Sequence, residues 1–179
     1  MDTVSLYNKE FVLRTSYAEI QARIGEMAEE MHKTLAGKDP VFLIVLNGAF
    51  MFAADLLKKI RFNCHVAFIR VASYNGITST GIVKNIIGLE ATLKNKTVVI
   101  VEDIIDSGET IQYLVNELKS QQPQEVLIAT LLLKPMALKH HLIPDFTGFE
   151  VPNDFLVGYG LDYDGLGRNL NDIYVLKQD

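Results

Sequence analysis

Two uninterrupted apolar runs of strand length, Val41-Phe42-Leu43-Ile44-Val45-Leu46 and Val98-Val99-Ile100-Val101, set the architecture of this chain. A strand with one face in water alternates polar and apolar residues; a run with no polar position fits a strand covered on both faces, as at the centre of a parallel sheet. Each run ends in a short turn and then in a helical pattern. Asn47-Gly48 breaks the first, and Ala49–Ile60 reads as a helix. The strand Thr97–Val101 passes into a turn over 102–108 and a helix over Glu109–Lys119. Further strands are expected at His65–Val71, Glu125–Leu133, Phe155–Tyr159 and Ile173–Leu176. A helix over Ser16–Ala36 opens on a capping box, Ser16 with Glu19, in which each side chain satisfies an orphan amide of the first turn. Ile20, Ile24, Met27, Met31 and Leu35 form its apolar stripe, and Gly37 suits the left-handed residue that ends a helix. Strands alternating with helices predict an α/β domain with a mostly parallel central sheet flanked by helices. Ligands of such sheets bind beyond the C-terminal strand ends. That rule selects Asn47-Gly48, Glu102–Thr110 and the loop after Leu133.

Composition narrows the function. The 179 residues, 49% of them hydrophobic, suit one domain with a sizeable core. A formal net charge of -5 supplies no basic field for a nucleic-acid backbone. Apolar stretches such as Leu127–Leu133 are too short to span a bilayer, and Met1-Asp2-Thr3 lacks the pattern of a secretory signal. The lone Cys64 excludes an intramolecular disulfide and a cysteine-based metal cluster; it reads as a buried structural thiol in a reducing cytoplasm. His140-His141 is read as surface, since adjacent side chains on one element diverge.

The segment Val98–Thr110 carries the chemistry. A buried strand empties into Glu102 and Asp103, followed by Ile104-Ile105-Asp106-Ser107-Gly108-Glu109-Thr110. Ser107, Gly108 and Thr110 offer amides and hydroxyls at a helix N-terminus, where the macrodipole favours a phosphate. Carboxylates at the strand end suit sugar hydroxyls or a divalent metal. The segment also reads as a solvated acidic loop with Asp106 or Ser107 as N-cap. That alternative leaves Glu102 and Asp103 unexplained.

Val98–Thr110 resembles the phosphoribosyl diphosphate signature of type I phosphoribosyltransferases, and in particular of the hypoxanthine-guanine branch. Other segments agree in order and spacing from about Val41 to Leu176: Leu46-Asn47-Gly48 with Phe52-Ala53-Ala54-Asp55-Leu56, Ser73-Tyr74, Lys134, Pro144-Asp145-Phe146, the stretch 155–163, and Arg168-Asn169-Leu170. The resemblance implies one domain over 1–179, with a core of about 37–135 and a small base-binding hood from the chain-terminal segments, about 1–15 and 136–179. It implies transfer of a phosphoribosyl group from phosphoribosyl diphosphate to N9 of a 6-oxopurine, in a homodimer or homotetramer. Asp106 is then the acid/base group near purine N7, and Ser107, Gly108, Glu109 and Thr110 surround the 5-phosphate. Glu102 and Asp103 meet the ribose hydroxyls directly or through Mg2+. Asn47, Gly48, Ser73, Tyr74 and Arg168 address the diphosphate, and Asp162 a second magnesium or the base edge. Lys134 donates to the 6-oxo group, Phe155 stacks on the purine, and the Leu156 backbone reads its edge. Taken alone, Lys134 and Asp162 also read as surface charges, and Phe155 as core.

Two positions depart from the family pattern. Asn47 stands where many members place Lys or Arg, which removes one cationic contact to diphosphate. Glu109 puts an acid in the phosphate turn and is expected to point to solvent. The weakly patterned stretch Ser73–Gly88 is expected to be a lid that keeps water from an oxocarbenium-like ribose. Transferases for xanthine or a pyrimidine, and a non-catalytic nucleotide sensor, are the competing functions; the presence of both Asp106 and Asp162 favours an enzyme.

Overall fold

The computed structural model describes residues 3–71, 92–139 and 141–178. Ser73, Tyr74 and the expected lid over 73–88 lie outside the described residues, as does His140. The described residues form two sheets. The first is five-stranded and contains β3 (Val41–Leu46), β4 (His65–Arg70), β5 (Thr97–Ile105), β6 (Glu125–Leu133) and β7 (Phe146–Glu150), in the order β4-β3-β5-β6-β7. All its neighbours are parallel. The second is antiparallel and draws on both chain ends, in the order β1 (Thr3–Leu6), β2 (Lys9–Thr15), β9 (Ile173–Leu176), β8 (Leu156–Val157). Helices α1 (Tyr17–Leu35), α2 (Phe50–Lys59) and α3 (Glu109–Ser120) complete the regular elements with a single turn of 3-10 helix at Pro135–Ala137.

Burial explains the pattern. Phe42 and Leu43 on β3 and Val98 to Val101 on β5 have no exposed surface, so these strands are sandwiched between two apolar clusters. One cluster holds the α1 stripe, Ile20, Ile24, Met27, Met31 and Leu35, with Phe52 and Leu56 of α2. The other packs Ile111, Leu114 and Leu118 of α3 against the opposite face. The Ser16–Glu19 capping box forms as expected: Glu19 N donates to Ser16 Oγ at 3.4 Å, and Ser16 N to Glu19 Oε2 at 2.8 Å. Gly37 takes φ 82° just past the end of the helix.

Several expectations need correction. Residues 102–105 are not turn: β5 runs on to Ile105 because Ile104 and Ile105 pair with Leu132 and Leu133 of β6. The strand expected over Phe155–Tyr159 shrinks to Leu156–Val157, since Gly158, Tyr159 and Gly160 all take positive φ. The strand expected to reach Val71 stops at Arg70, and α2 begins and ends one residue inside Ala49–Ile60. Cys64 is half-buried rather than buried and precedes β4; desolvation pushes its thiol above the ordinary range, away from reactivity. Strands β1, β2 and β7 have no counterpart among the expected elements.

Strand β7 packs tightly on its neighbour. A Cβ at Gly148 would overlap the Leu131 carbonyl oxygen of β6, backbone against backbone. Arg23 of α1 donates from Nε to Gly148 O at 2.9 Å and from Nη2 to Thr147 O at 2.7 Å, tying this edge strand to the helix layer. Gly148→Ala is expected to lower the unfolding free energy by about 1–3 kcal/mol, visible as a lower urea midpoint at unchanged slope.

Candidate active site

Sheet register brings the site together. Ile105 of β5 lies opposite Leu133 of β6, so the next residues of both strands, Asp106 and Lys134, emerge side by side at the C-terminal edge. Lys134 N donates to Ile105 O at 2.9 Å, and Lys139 N to Ser107 O at 3.0 Å, holding the loop after β6 against the acidic turn. Lys134 Nζ then reaches Asp106 Oδ2 at 2.7 Å. The two partners differ in setting: the Lys134 side chain is 11% exposed and that of Asp106 59%. A cation with so little water depends on its partner, whereas the carboxylate faces an open approach.

Next to this pair is the start of α3. Its N-cap, Gly108, has φ 80° and no side-chain cap. The first turn of a helix has amides without intrahelical carbonyls; the Glu109 amide turns to Ser107 Oγ at 3.4 Å, and the remaining ones suit an anion. Glu102, Asp106, Ser107, Gly108 and Thr110 line one cleft of ≈ 110 Å³ there. Pockets for whole small molecules run from about 300 Å³ upward, so this cleft has the size of a phosphoryl subsite, not of a nucleotide. Glu109 turns outward and pairs with Lys139 at 3.0 Å, in line with its expected direction.

The two acids follow one another on β5 and their carboxyls stay in contact. Glu102 lines the cleft and Asp103 packs on the turn after β3, where a Cβ at Gly48 would overlap the Asp103 carboxylate. Both residues are 8% exposed. Glu102 Oε2 is buried without a hydrogen-bond partner. Desolvation, and after it the Asp103 charge, raise the Glu102 carboxyl well above the usual carboxylate range. The Leu46–Asn47 peptide before Gly48 is cis.

The residues expected to bind the base lie on and beside the second sheet. Phe155, 47% exposed, immediately precedes β8 and leans on Phe11 and Tyr163, with ring centroids 6.3 and 5.8 Å away. Leu156 is buried in β8 and pairs with Val175. Asp162 Oδ1 meets Arg168 Nη2 at 2.6 Å, its Oδ2 accepts from Gly165 N at 2.7 Å, and Arg168 Nη1 donates to Gly160 O at 2.7 Å. Arg168 is thus held by the hood.

Residues 15–164 match the phosphoribosyl transferase domain. A hypoxanthine-guanine phosphoribosyltransferase of Lactococcus lactis is 41% identical over 165 residues, which cover 92% of this chain and 90% of that one. The chain belongs to the hypoxanthine-guanine phosphoribosyltransferase family. The crystal structure of a hypoxanthine phosphoribosyltransferase from Staphylococcus aureus superposes with a TM-score of 0.85 at 35% identity, over 92% of this chain and 90% of that chain. The bifunctional protein TilS/HprT of Listeria monocytogenes is 40% identical over 176 residues, 98% of this chain but 27% of that protein. The chain therefore spans about a quarter of the length of that relative.

For a phosphoribosyltransferase of this type, the acidic strand end bears on metal binding. No group of three or more His, Cys, Asp and Glu residues that could hold a metal occurs among the described residues. Mg2+ does not require such a cage, because it binds through one or two carboxylates together with water and substrate phosphates. A buried, partnerless Glu102 oxygen beside Asp103 fits that donor set. Asp162 is engaged by Arg168 and must be released before it serves an ion. Sequence reasoning named Asp106 and Lys134 separately and missed that they pair. It also assigned nothing to Asp55 or Tyr159, which are joined across the two halves. The available signal was a lone carboxylate among the inward residues Phe52, Ala53 and Leu56 of α2.

Proposed function

We propose that this phosphoribosyltransferase transfers the 5-phosphoribosyl group of phosphoribosyl diphosphate to N9 of hypoxanthine and of guanine, giving IMP or GMP and diphosphate in purine salvage. The observation that carries this reading is the Lys134–Asp106 pair, 2.7 Å long, at the rim of the N-terminus of α3. The helix end takes the 5-phosphate. Asp106 then adjoins Ser107 of the phosphate turn in the same cleft and is positioned to hold the proton at purine N7 while N9 attacks C1. Lys134, a donor only, gives a hydrogen bond to a 6-oxo group and has none to accept from a 6-amino group. Phe155 supplies an exposed face for the purine ring. Arg168, on leaving Asp162, offers a guanidinium fork to diphosphate, with Asn47 and Gly48 giving backbone contacts and Ser73 and Tyr74 assigned to the same group by the family pattern. Glu102 and Asp103, and Asp162 on the diphosphate side, would hold Mg2+, which when bound would neutralise charge on the leaving diphosphate.

No helix among the described residues is long and apolar enough to cross a membrane. We place the enzyme in the cytoplasm, where a lone thiol such as Cys64 stays reduced. We further propose that it works as a homodimer or homotetramer, a reading supported by the exposed Phe50, Met136 and Ile143.

The test is turnover of hypoxanthine, guanine, xanthine and adenine with phosphoribosyl diphosphate and Mg2+. Activity on hypoxanthine and guanine, and little on adenine, is expected; no nucleotide product from either hypoxanthine or guanine would overturn the assignment. Lys134→Gln is expected to lower kcat/KM for hypoxanthine by about 10- to 100-fold, the cost of a lost charged hydrogen bond. The ratio of hypoxanthine to adenine use should fall with it, because Gln can also accept.

A further inference from the structure

The loop that carries the base-binding residues contains three consecutive left-handed positions, Gly158, Tyr159 and Gly160, with φ of 95°, 49° and 101°. Glycine adopts such angles freely. Tyrosine does not, and it stays there only where its surroundings fix it. Here the anchor is a carboxylate. Tyr159 has no exposed surface, and its hydroxyl donates to Asp55 Oδ2 at 2.6 Å across 104 residues of sequence. Gln21 Nε2 of α1 donates to the same oxygen at 2.6 Å, and Lys58 Nζ meets Oδ1 at 2.6 Å. Burial opposes the Asp55 charge, but the bonds from Lys58, Tyr159 and Gln21 outweigh it and hold the carboxyl below its usual range. Desolvation and the Asp55 carboxylate push the Tyr159 hydroxyl far up, so it remains a donor.

The location gives the bond its meaning. Asp55 sits on α2, whose first residues follow the Asn47-Gly48 turn. On the other side of Tyr159, Gly160 approaches so closely that a Cβ there would overlap the Gly48 carbonyl oxygen. A buried apolar residue at 55 would pack against the same neighbours without the cost of desolvating a charge. A carboxylate instead fixes a direction and a length.

We infer that Tyr159 and Asp55 are positioning residues that set the separation between the purine subsite and the phosphoribosyl subsite. Neither touches base or donor; they act through the loop that carries Phe155, Leu156 and Asp162. The inference rests on the activity proposed above.

Steady-state kinetics of Tyr159→Phe, Asp55→Ala, Asp55→Asn and Lys58→Met, with hypoxanthine and phosphoribosyl diphosphate each varied, test it. Tyr159→Phe and Asp55→Ala are expected to raise KM for hypoxanthine about tenfold and to leave KM for the donor within about twofold. Asp55→Asn keeps an oxygen that accepts from both Tyr159 and Gln21, so it should restore KM to within about threefold of the unaltered value. The double variant Tyr159→Phe, Asp55→Ala should be no worse than either single one, the signature of one shared interaction. Lys58→Met removes only the exposed partner of Oδ1 and leaves the Tyr159 bond to Oδ2, so it should raise KM for hypoxanthine less than Tyr159→Phe does. Parallel rises in both KM values, or a fall in Tm with neither KM changed, would show a merely structural contact and overturn the inference. If the unaltered chain turns over no 6-oxopurine, the proposed activity falls and the positioning role falls with it. Turnover with an unaffected KM in Tyr159→Phe removes the positioning role alone.

Discussion

Asp106→Ala is expected to lower kcat with hypoxanthine by about 10²- to 10⁴-fold, the usual contribution of a positioned general acid or base. Two effects are mixed in that variant. It removes the group placed to manage the N7 proton, and it removes the partner of Lys134, whose side chain is only 11% exposed. Asp106→Asn separates them. The amide keeps the size of the side chain and an oxygen that accepts from Lys134 Nζ, but it carries no titratable proton. If proton transfer matters most, Asn and Ala variants lose similar amounts of kcat. If the Lys134 contact matters most, Asn recovers most of the rate. An Asn variant as fast as the unaltered chain would remove Asp106 from the chemistry. Thermal unfolding should separate the variants too: Ala leaves the Lys134 ammonium, 11% exposed, without its partner and lowers Tm, whereas Asn keeps it hydrogen-bonded and lowers Tm less.

Gly48→Ala should be the most damaging methyl group that can be added to this protein's donor side, with kcat/KM for phosphoribosyl diphosphate falling about 100-fold. The added Cβ would occupy the space of the Asp103 carboxylate. Asp103 is 8% exposed and sits on a fully buried strand, so its backbone does not yield. The turn does not retreat either, since Gly160 presses on the Gly48 carbonyl from the hood. Something in the site must shift, and displacement by about an ångström is enough for a loss of that size. Separate determination of the two KM values, with circular dichroism to show that the variant folds, checks the prediction. A folded variant with unaltered donor kcat/KM would mean that neither Gly48 nor Asp103 bears on the donor.

Much of the fold was legible because its signals are local. The Ser16–Glu19 box lies within three residues, and the α1 stripe repeats every three or four. Strands β3, β6 and β9 match their expected limits residue for residue, each being an apolar run cut off by polar or turn residues. The antiparallel hairpin Thr3–Thr15 was hidden by charged and polar residues on its solvent side, where β1 alternates between half-buried and exposed positions. Strand β7 was hidden by Thr147 and Gly148, which sit there because the neighbouring Leu131 carbonyl allows no side chain at position 148.

The candidate site divides in the same way. The order of residues alone determined that carboxylates, a small turn and a helix start follow a buried strand, because strand, turn and cap are each written in a few adjacent residues. Tertiary structure decided which of those groups act together. Parallel register set Asp106 beside Lys134, 28 residues on. The end of β5 brought Glu102 to the cleft and Asp103 to the Gly48 turn, with their carboxyls still in contact. The folded hood carried Tyr159 to Asp55. Pairings of this kind depend on where whole strands and helices are set by burial of the core, and no short window of sequence contains that information.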